Sequence, residues 1–250
     1  MNITLFDAYS GFGGATPGST ILLHAAEVQT ELARLGITRA LVRRVPEDLE
    51  GDAASSNERL YASCAGHPEF LPCPVVLPST GGDVASEEEQ VTTHLVRGAG
   101  AVWVRPALDY WSLAPWCSDA MFAALAQHRF PMLIVASMVS PEQIAEIASR
   151  HTALPILLAG SSYRDQRVLL PLLKAHPNIH VVLGGSYAVH GGIEQLAAEV
   201  GATRVLFGTG YPHTEPGAAV TYLMYADMSD KEKQLIGSRN LERLLAEVVP

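Results

Sequence analysis

Charged residues are scarce in this sequence, cysteines are few, and no long apolar run occurs. Charged side chains make up 17% of the 250 residues. With a net charge of −9 and scattered Lys and Arg, there is no basic stripe to track a phosphate backbone, which excludes nucleic acid as a partner. No segment reaches the about 18 uncharged apolar residues a membrane-spanning helix needs. The opening stretch MNITLFDAYSGFGG has no basic segment ahead of its apolar residues, so no secretory signal is expected. These absences predict a cytoplasmic protein with no membrane partner. The cysteines, Cys64, Cys73 and Cys117, are odd in number and widely spaced. That excludes a disulfide framework or a Cys-x-x-Cys motif and leaves them as small buried hydrophobes.

What the sequence does have is apolar residues, 48% of the total, arranged as short β-branched or apolar runs alternating with longer segments of helical period. The candidate strands are Ile3–Asp7, Arg39–Arg43, Phe70–Val76, Ala101–Arg105, Met132–Ala136, Ile156–Ala159, Ile179–Leu183 and Arg204–Phe207. Helical patterns begin near Ser19, Ala53, Asp83, Trp116, Pro141, Tyr163, Gly192 and Gly217, and a last helix runs from Asp230 to Ala246. Ser140-Pro141-Glu142-Gln143 and Ser229-Asp230-Lys231-Glu232 are capping boxes, and Gly36 stands where a left-handed cap residue belongs. Eight strand–helix units without a linker predict an α/β fold in which residues 1–250 form one (β/α)8 TIM barrel, a fold of roughly this length. In such barrels the chemistry sits on the loops after each strand.

The first strand runs into Asp7-Ala8-Tyr9-Ser10-Gly11-Phe12-Gly13-Gly14 and the last into Phe207-Gly208-Thr209-Gly210-Tyr211-Pro212-His213. These motifs, with Leu154–Asp165, Pro177–Ile179 and the ending Arg239–Leu245, resemble the amidohydrolase superfamily, in its branch of decarboxylases and small-ring hydrolases. There the first strand ends in Asp-x-His-x-His-x-Gly and the eighth in Gly-Ser/Thr-Asp-Tyr-Pro-His. The resemblance implies a divalent metal held by the two histidines, by histidines ending strands five and six, and by the aspartate ending strand eight. At those places this chain carries Tyr9, Gly11, Val135 or Ala136, Ala159 or Gly160, and Gly210. The inherited metal site is therefore expected to be missing, and with it the metal-bound hydroxide of a related hydrolase.

Other groups on the rim supply candidates. His190 and His213 follow neighbouring strands, and imidazole is the side chain most easily poised as acid or base near neutrality. With Asp7 and Tyr9 they are the expected catalytic residues. Arg43, Arg105 and Arg164 follow three different strands, and their guanidinium forks suit carboxylate or phosphate. They are expected to hold substrate together with Trp111, Tyr163, Tyr187 and Tyr211. Trp103, Tyr110, Trp111 and Trp116 are dense enough for an apolar wall. His180 lies within strand seven, and alternation alone leaves open whether it faces the barrel or the helices. His24, His94, His128, His151 and His176 fall on outer helices and receive no role. Gly11–Gly14 lacks the spacing and the Lys-Ser/Thr ending of a nucleotide loop, so no cofactor is expected.

Two functions fit. One is a metal-independent hydrolase, decarboxylase or other lyase acting on a small polar or anionic organic molecule by side-chain acid–base chemistry. The other is a non-catalytic barrel kept for ligand binding or subunit interaction. An unconventional metal site built from His190, His213 and a carboxylate is a third arrangement. The resemblance further implies association into homo-oligomers through the outer helices.

Overall fold

A computed structural model describes residues 3–13, 23–45, 53–187 and 189–250. The strands are Leu5–Gly13 (β1), Ile37–Val45 (β2), Phe70–Pro72 (β3), Val102–Val104 (β4), Met132–Val135 (β5), Ile156–Ala159 (β6), Ile179–Leu183 (β7) and Val205–Phe207 (β8). Between them run α1 (Ala25–Arg34), α2 (Ala53–Cys64), α3 (Glu87–Val96), α4 (Pro115–Gln127), α5 (Pro141–Arg150), α6 (Gln166–Ala175) and α7 (Gly192–Val200). After β8 come α8 (Pro216–Tyr225), α9 (Asp230–Gln234) and α10 (Asn240–Ala246), the last two joined by a π-turn at Leu235–Arg239. None of the helices among the described residues is long and apolar enough to cross a membrane.

All strand pairs are parallel, in two runs, β1-β2-β3 and β4 through β8. The runs close into the expected barrel at two seams. Between β3 and β4 lies Leu71-Pro72-Cys73-Pro74, where proline has no N–H to give. The bonds therefore go the other way: Gly100 N–H donates to Pro72 O at 3.0 Å and Trp103 N–H to Pro74 O at 2.7 Å. At the second seam Gly210 N–H donates to Tyr9 O at 2.8 Å. Proline is also why β3 ends at residue 72 instead of continuing to Val76.

Alternation along each strand makes two cores. Phe6, Ala8, Leu41, Cys73, Val75, Ala101, Trp103, Leu133, Leu157, Ala159, Val182 and Leu206 fill the barrel, with Leu241 and Leu244 of α10 below them. Their neighbours, such as Leu5, Val42, Val104, Ile134, Leu158, Val181 and Val205, pack against the helices. His180 shares its phase with Val182 and so belongs inside the barrel. It is buried, its Nδ1 has no partner among the described residues, and burial, then the charges of Arg204 and Arg243, push its pKa down to about 3.

Both capping boxes form, and Gly36 has φ 75°, as a left-handed cap requires. The helix expected near Ser19 begins outside the described residues; the described part is α1. The helix expected from Tyr163 is a 3₁₀ turn over Tyr163–Asp165 leading into α6. The first strand needs the largest correction. It does not stop at Asp7 but continues to Gly13, so the motif read as a loop is itself strand.

Candidate functional site

The site starts from an irregularity in β1. Asp7 pairs with Ala40 and Ser10 with Val42, so three steps on β1 oppose two on β2. Such a bulge re-aims side chains. Here it lets consecutive residues, Ala8 and Tyr9, both pack on the barrel interior.

Asp7 is fully buried at the β1–β8 seam. Its Oδ1 accepts the N–H groups of Tyr9 and Thr209, each at 2.9 Å, and its Oδ2 accepts the Thr209 hydroxyl at 2.5 Å. Burial raises its pKa to about 6, against the pull of those hydrogen bonds and of the Arg43 charge. The Thr209 hydroxyl in turn accepts Tyr211 N–H, and Thr214 donates its hydroxyl to Thr209 O. One carboxylate thus shapes the loop carrying Gly210, Tyr211 and His213.

Arg43 enters from β2, sharing the interior phase of Leu41. It is 2% exposed. Its guanidinium carbon lies 4.5 Å from the Tyr9 ring centroid and 4.8 Å from that of Trp103, within cation–π distance of both rings. Nε and Nη2 are buried and have no hydrogen-bond partner among the described residues. Arg105, at the end of β4, lies 5.2 Å from the Trp103 ring and is paired, its Nε donating to Asp109 Oδ2 at 2.8 Å. The Trp103 indole N–H is buried without a partner among the described residues. Tyr9, Arg43, Trp103 and Arg105 therefore form one stack at the mouth, with one guanidinium neutralised and the other not.

The remaining candidates are dispersed. His213 is exposed on the rim, its N–H bound to Gly210 O, and partial burial of its ring, then the charge of Arg43, lower its pKa. His190 is exposed in the turn before α7. Arg164 and Tyr163 are exposed and face one another, Arg164 Nε donating to Tyr163 Oη at 3.5 Å. They do not join Arg43. Tyr187 is buried beside Ile193, Phe207 and Leu223, between the strands and α7 and α8, so it belongs to the helix layer and not to the mouth. Trp111 and Tyr211 are half-buried against that same outer core, and burial raises the Tyr211 phenol pKa. His128 and His151 serve peripheral pairs with Glu88 and Asp119, and His94 pairs with Tyr61. Sequence reasoning placed Trp103 in an aromatic wall with Tyr110, Trp111 and Trp116 but did not pair it with Arg43; its alternation with Ala101 and Arg105 was the available signal.

The amidohydrolase family model matches residues 25–246. The chain belongs to the amidohydrolase family. No curated protein sequence matches it. Among solved structures, 2,6-dihydroxybenzoate decarboxylase from Rhizobium superposes with a TM-score of 0.72 at 16% identity, covering 98% of this chain and 99% of that one. The 5-carboxyvanillate decarboxylase from Novosphingobium aromaticivorans, complexed with manganese and 4-hydroxy-3-methoxy-5-nitrobenzoic acid, gives 0.74 at 15%, covering 98% and 96%. A protein assigned as a 2-pyrone-4,6-dicarboxylic acid hydrolase from Pseudomonas putida gives 0.72 at 15%, covering the whole of both chains. At these identities the likeness concerns the fold.

Within that family fold, the positions the motifs assign to metal ligands carry Tyr9, Gly11, Val135 or Ala136, Ala159 or Gly160, and Gly210. No group of three or more His, Cys, Asp or Glu gathers among the described residues, so His190, His213 and a carboxylate do not form one either. At the three glycines among these positions an added Cβ would meet a close neighbour. A Cβ at Gly11 would lie 2.7 Å from Arg43 O and 3.3 Å from Arg43 Cγ. Gly160 and Gly210 have φ of 72° and 73°, and a Cβ would lie 3.0 Å from Val135 Cγ1 and 2.5 Å from Thr214 Oγ1 respectively.

Proposed function

We propose that this amidohydrolase is a metal-independent enzyme whose barrel mouth takes a small organic carboxylate for hydrolysis or decarboxylation. One observation carries the reading: the buried guanidinium of Arg43 has no hydrogen-bond partner at Nε or Nη2 among the described residues. A buried charge is costly unless paired, so the site is incomplete without an anion. The structural neighbours act, by their names, on carboxylic acids. Arg105, already paired with Asp109, would line the same mouth, with Tyr9 and Trp103 as its aromatic walls.

In this reading His213 is the acid–base group. Its lowered pKa keeps the imidazole neutral near pH 7, the form that accepts a proton. Asp7 holds the loop that carries His213 and is a positioning residue, since both its oxygens are occupied. The same proposal takes residues 1–250 as one domain acting in the cytoplasm.

The exposure of His190 and the occupied carboxylate of Asp7 favour the second reading, a barrel that binds a carboxylate without turning it over. A screen of small aromatic and aliphatic carboxylic acids, following carbon dioxide release and hydrolysis in the presence of a chelator, separates the two. Multiple turnovers establish the enzyme. Saturable binding without product leaves the binding barrel, and turnover that the chelator abolishes overturns metal independence.

A further inference from the structure

Arg43 and the motif of β1 are fitted to one another. The second position of the family's His-x-His pair is Gly11, and the Arg43 side chain and carbonyl cross the space where a side chain at residue 11 would begin, at 3.3 and 2.7 Å. The first position is Tyr9, whose ring lies against the guanidinium face at 4.5 Å. The strand next to Gly11 thus leaves little room for a side chain there, through the Arg43 carbonyl, Val45 Cγ2 and Arg43 Cγ, while Tyr9 packs on the guanidinium. The Trp103 ring centroid lies 4.8 Å from the same guanidinium carbon, so two aromatic rings flank the group. Nε and Nη2, the two unpartnered nitrogens, belong to the same edge. They present two parallel N–H donors, the arrangement that matches both oxygens of a carboxylate.

We propose that Arg43 is the resident cation of this barrel mouth, standing in place of a divalent metal, and that it receives a substrate carboxylate side-on through Nε and Nη2. This rests on the reading of the mouth as a carboxylate site and goes further, since it assigns the charge to one side chain and makes that side chain and a metal exclusive occupants. A guanidinium cannot ionise water as a metal does, so it supplies fixed charge and orientation, leaving proton movement to the histidine.

The test is calorimetric titration with benzoate, on protein purified without added metal, with and without EDTA and with added Mn²⁺, alongside elemental analysis. Wild type is expected to bind benzoate equally in all three conditions and to carry no stoichiometric transition metal. Arg43→Ala is expected to bind roughly tenfold to a hundredfold more weakly, the scale of a lost charge-assisted pair, and Mn²⁺ is expected not to restore it. Arg43→Lys, which keeps the charge but not the two-donor edge, is expected to fall in between and serves if the alanine variant does not fold. Loss of wild-type binding in EDTA, recovery of Arg43→Ala by Mn²⁺, or unchanged affinity in Arg43→Lys overturns the assignment while leaving a carboxylate site standing. If wild type binds neither benzoate nor any acid of the turnover screen, the carboxylate reading itself falls, and this inference with it.

Discussion

Asp7 and Thr209, 202 residues apart in sequence, meet twice across the barrel closure: the Thr209 N–H on Oδ1 at 2.9 Å and its hydroxyl on Oδ2 at 2.5 Å. The side chain of one edge strand does there what a ladder does elsewhere. Thr209→Val preserves shape but leaves Oδ2 buried and unpaired. A loss of about 1.5–3 kcal/mol is expected in urea unfolding, the range for hydrogen bonds to a charged group; a change below about 0.5 kcal/mol would show that the seam does not depend on this contact.

The same carboxylate gives stability a definite pH slope. The folded pKa of Asp7 is about 6, above the ordinary aspartate value of 3.8. A raised folded pKa means that the folded state holds the proton longer than the unfolded chain, so the contribution is fully present below about pH 4 and is lost as the pH rises through 6. The size is about 3 kcal/mol at one pKa unit per 1.36 kcal/mol. Between pH 4 and 6 the unfolding free energy of wild type should therefore fall relative to that of Asp7→Asn, which lacks this titration. Parallel curves over that window would contradict the assignment.

Turnover should depend on His213 and not on His190. His213→Gln is expected to lower kcat by about 10²- to 10⁴-fold, the span of general acid–base catalysis. His190→Gln is expected to leave it within about twofold, because it is an exposed turn residue whose substitution removes no buried contact. The acid limb of the pH profile should lie below the ordinary histidine value of 6.5, since burial and Arg43 both lower the pKa of His213. An acid limb above that value assigns the chemistry to another group.

Tyr187 supplies a contrasting prediction. Its hydroxyl is buried and has no partner among the described residues. Tyr187→Phe should leave carboxylate binding unchanged and should not reduce thermal stability; a gain of up to about 1–3 kcal/mol is the range for relieving an unsatisfied buried group. Weakened binding would place the phenol at the mouth after all.

Much of the barrel is legible from periodicity, because eight alternating units leave one economical closure and because caps such as Ser140 and Gly36 are local chemistry. What sequence could not supply was phase. Arg39-x-Leu41-x-Arg43 states that these residues share a face, yet only the packed barrel says that the face is inward. The bulge between Asp7 and Ser10 was equally hidden, since an extra residue in a ladder depends on the partner strand, and it turned an expected loop into the strand that carries Tyr9. Tyr187 was misplaced for a related reason. The 3₁₀ turn at Gly185–Tyr187 rotates it toward the helices, and nothing in Gly-Gly-Ser-Tyr announces which way such a turn will swing.

Trp103 adds a consequence of a different sort. Its indole lies between two guanidiniums, one neutralised by Asp109 and the other bare, whereas Trp116 is 78% exposed and Trp111 sits against the outer core. The emission colour of an indole follows the local electric field, and here that field changes when an anion reaches Arg43. On the proposed reading the barrel contains its own optical gauge: a shift in tryptophan emission on adding a carboxylate would read occupancy of the mouth without label, product or coupled assay.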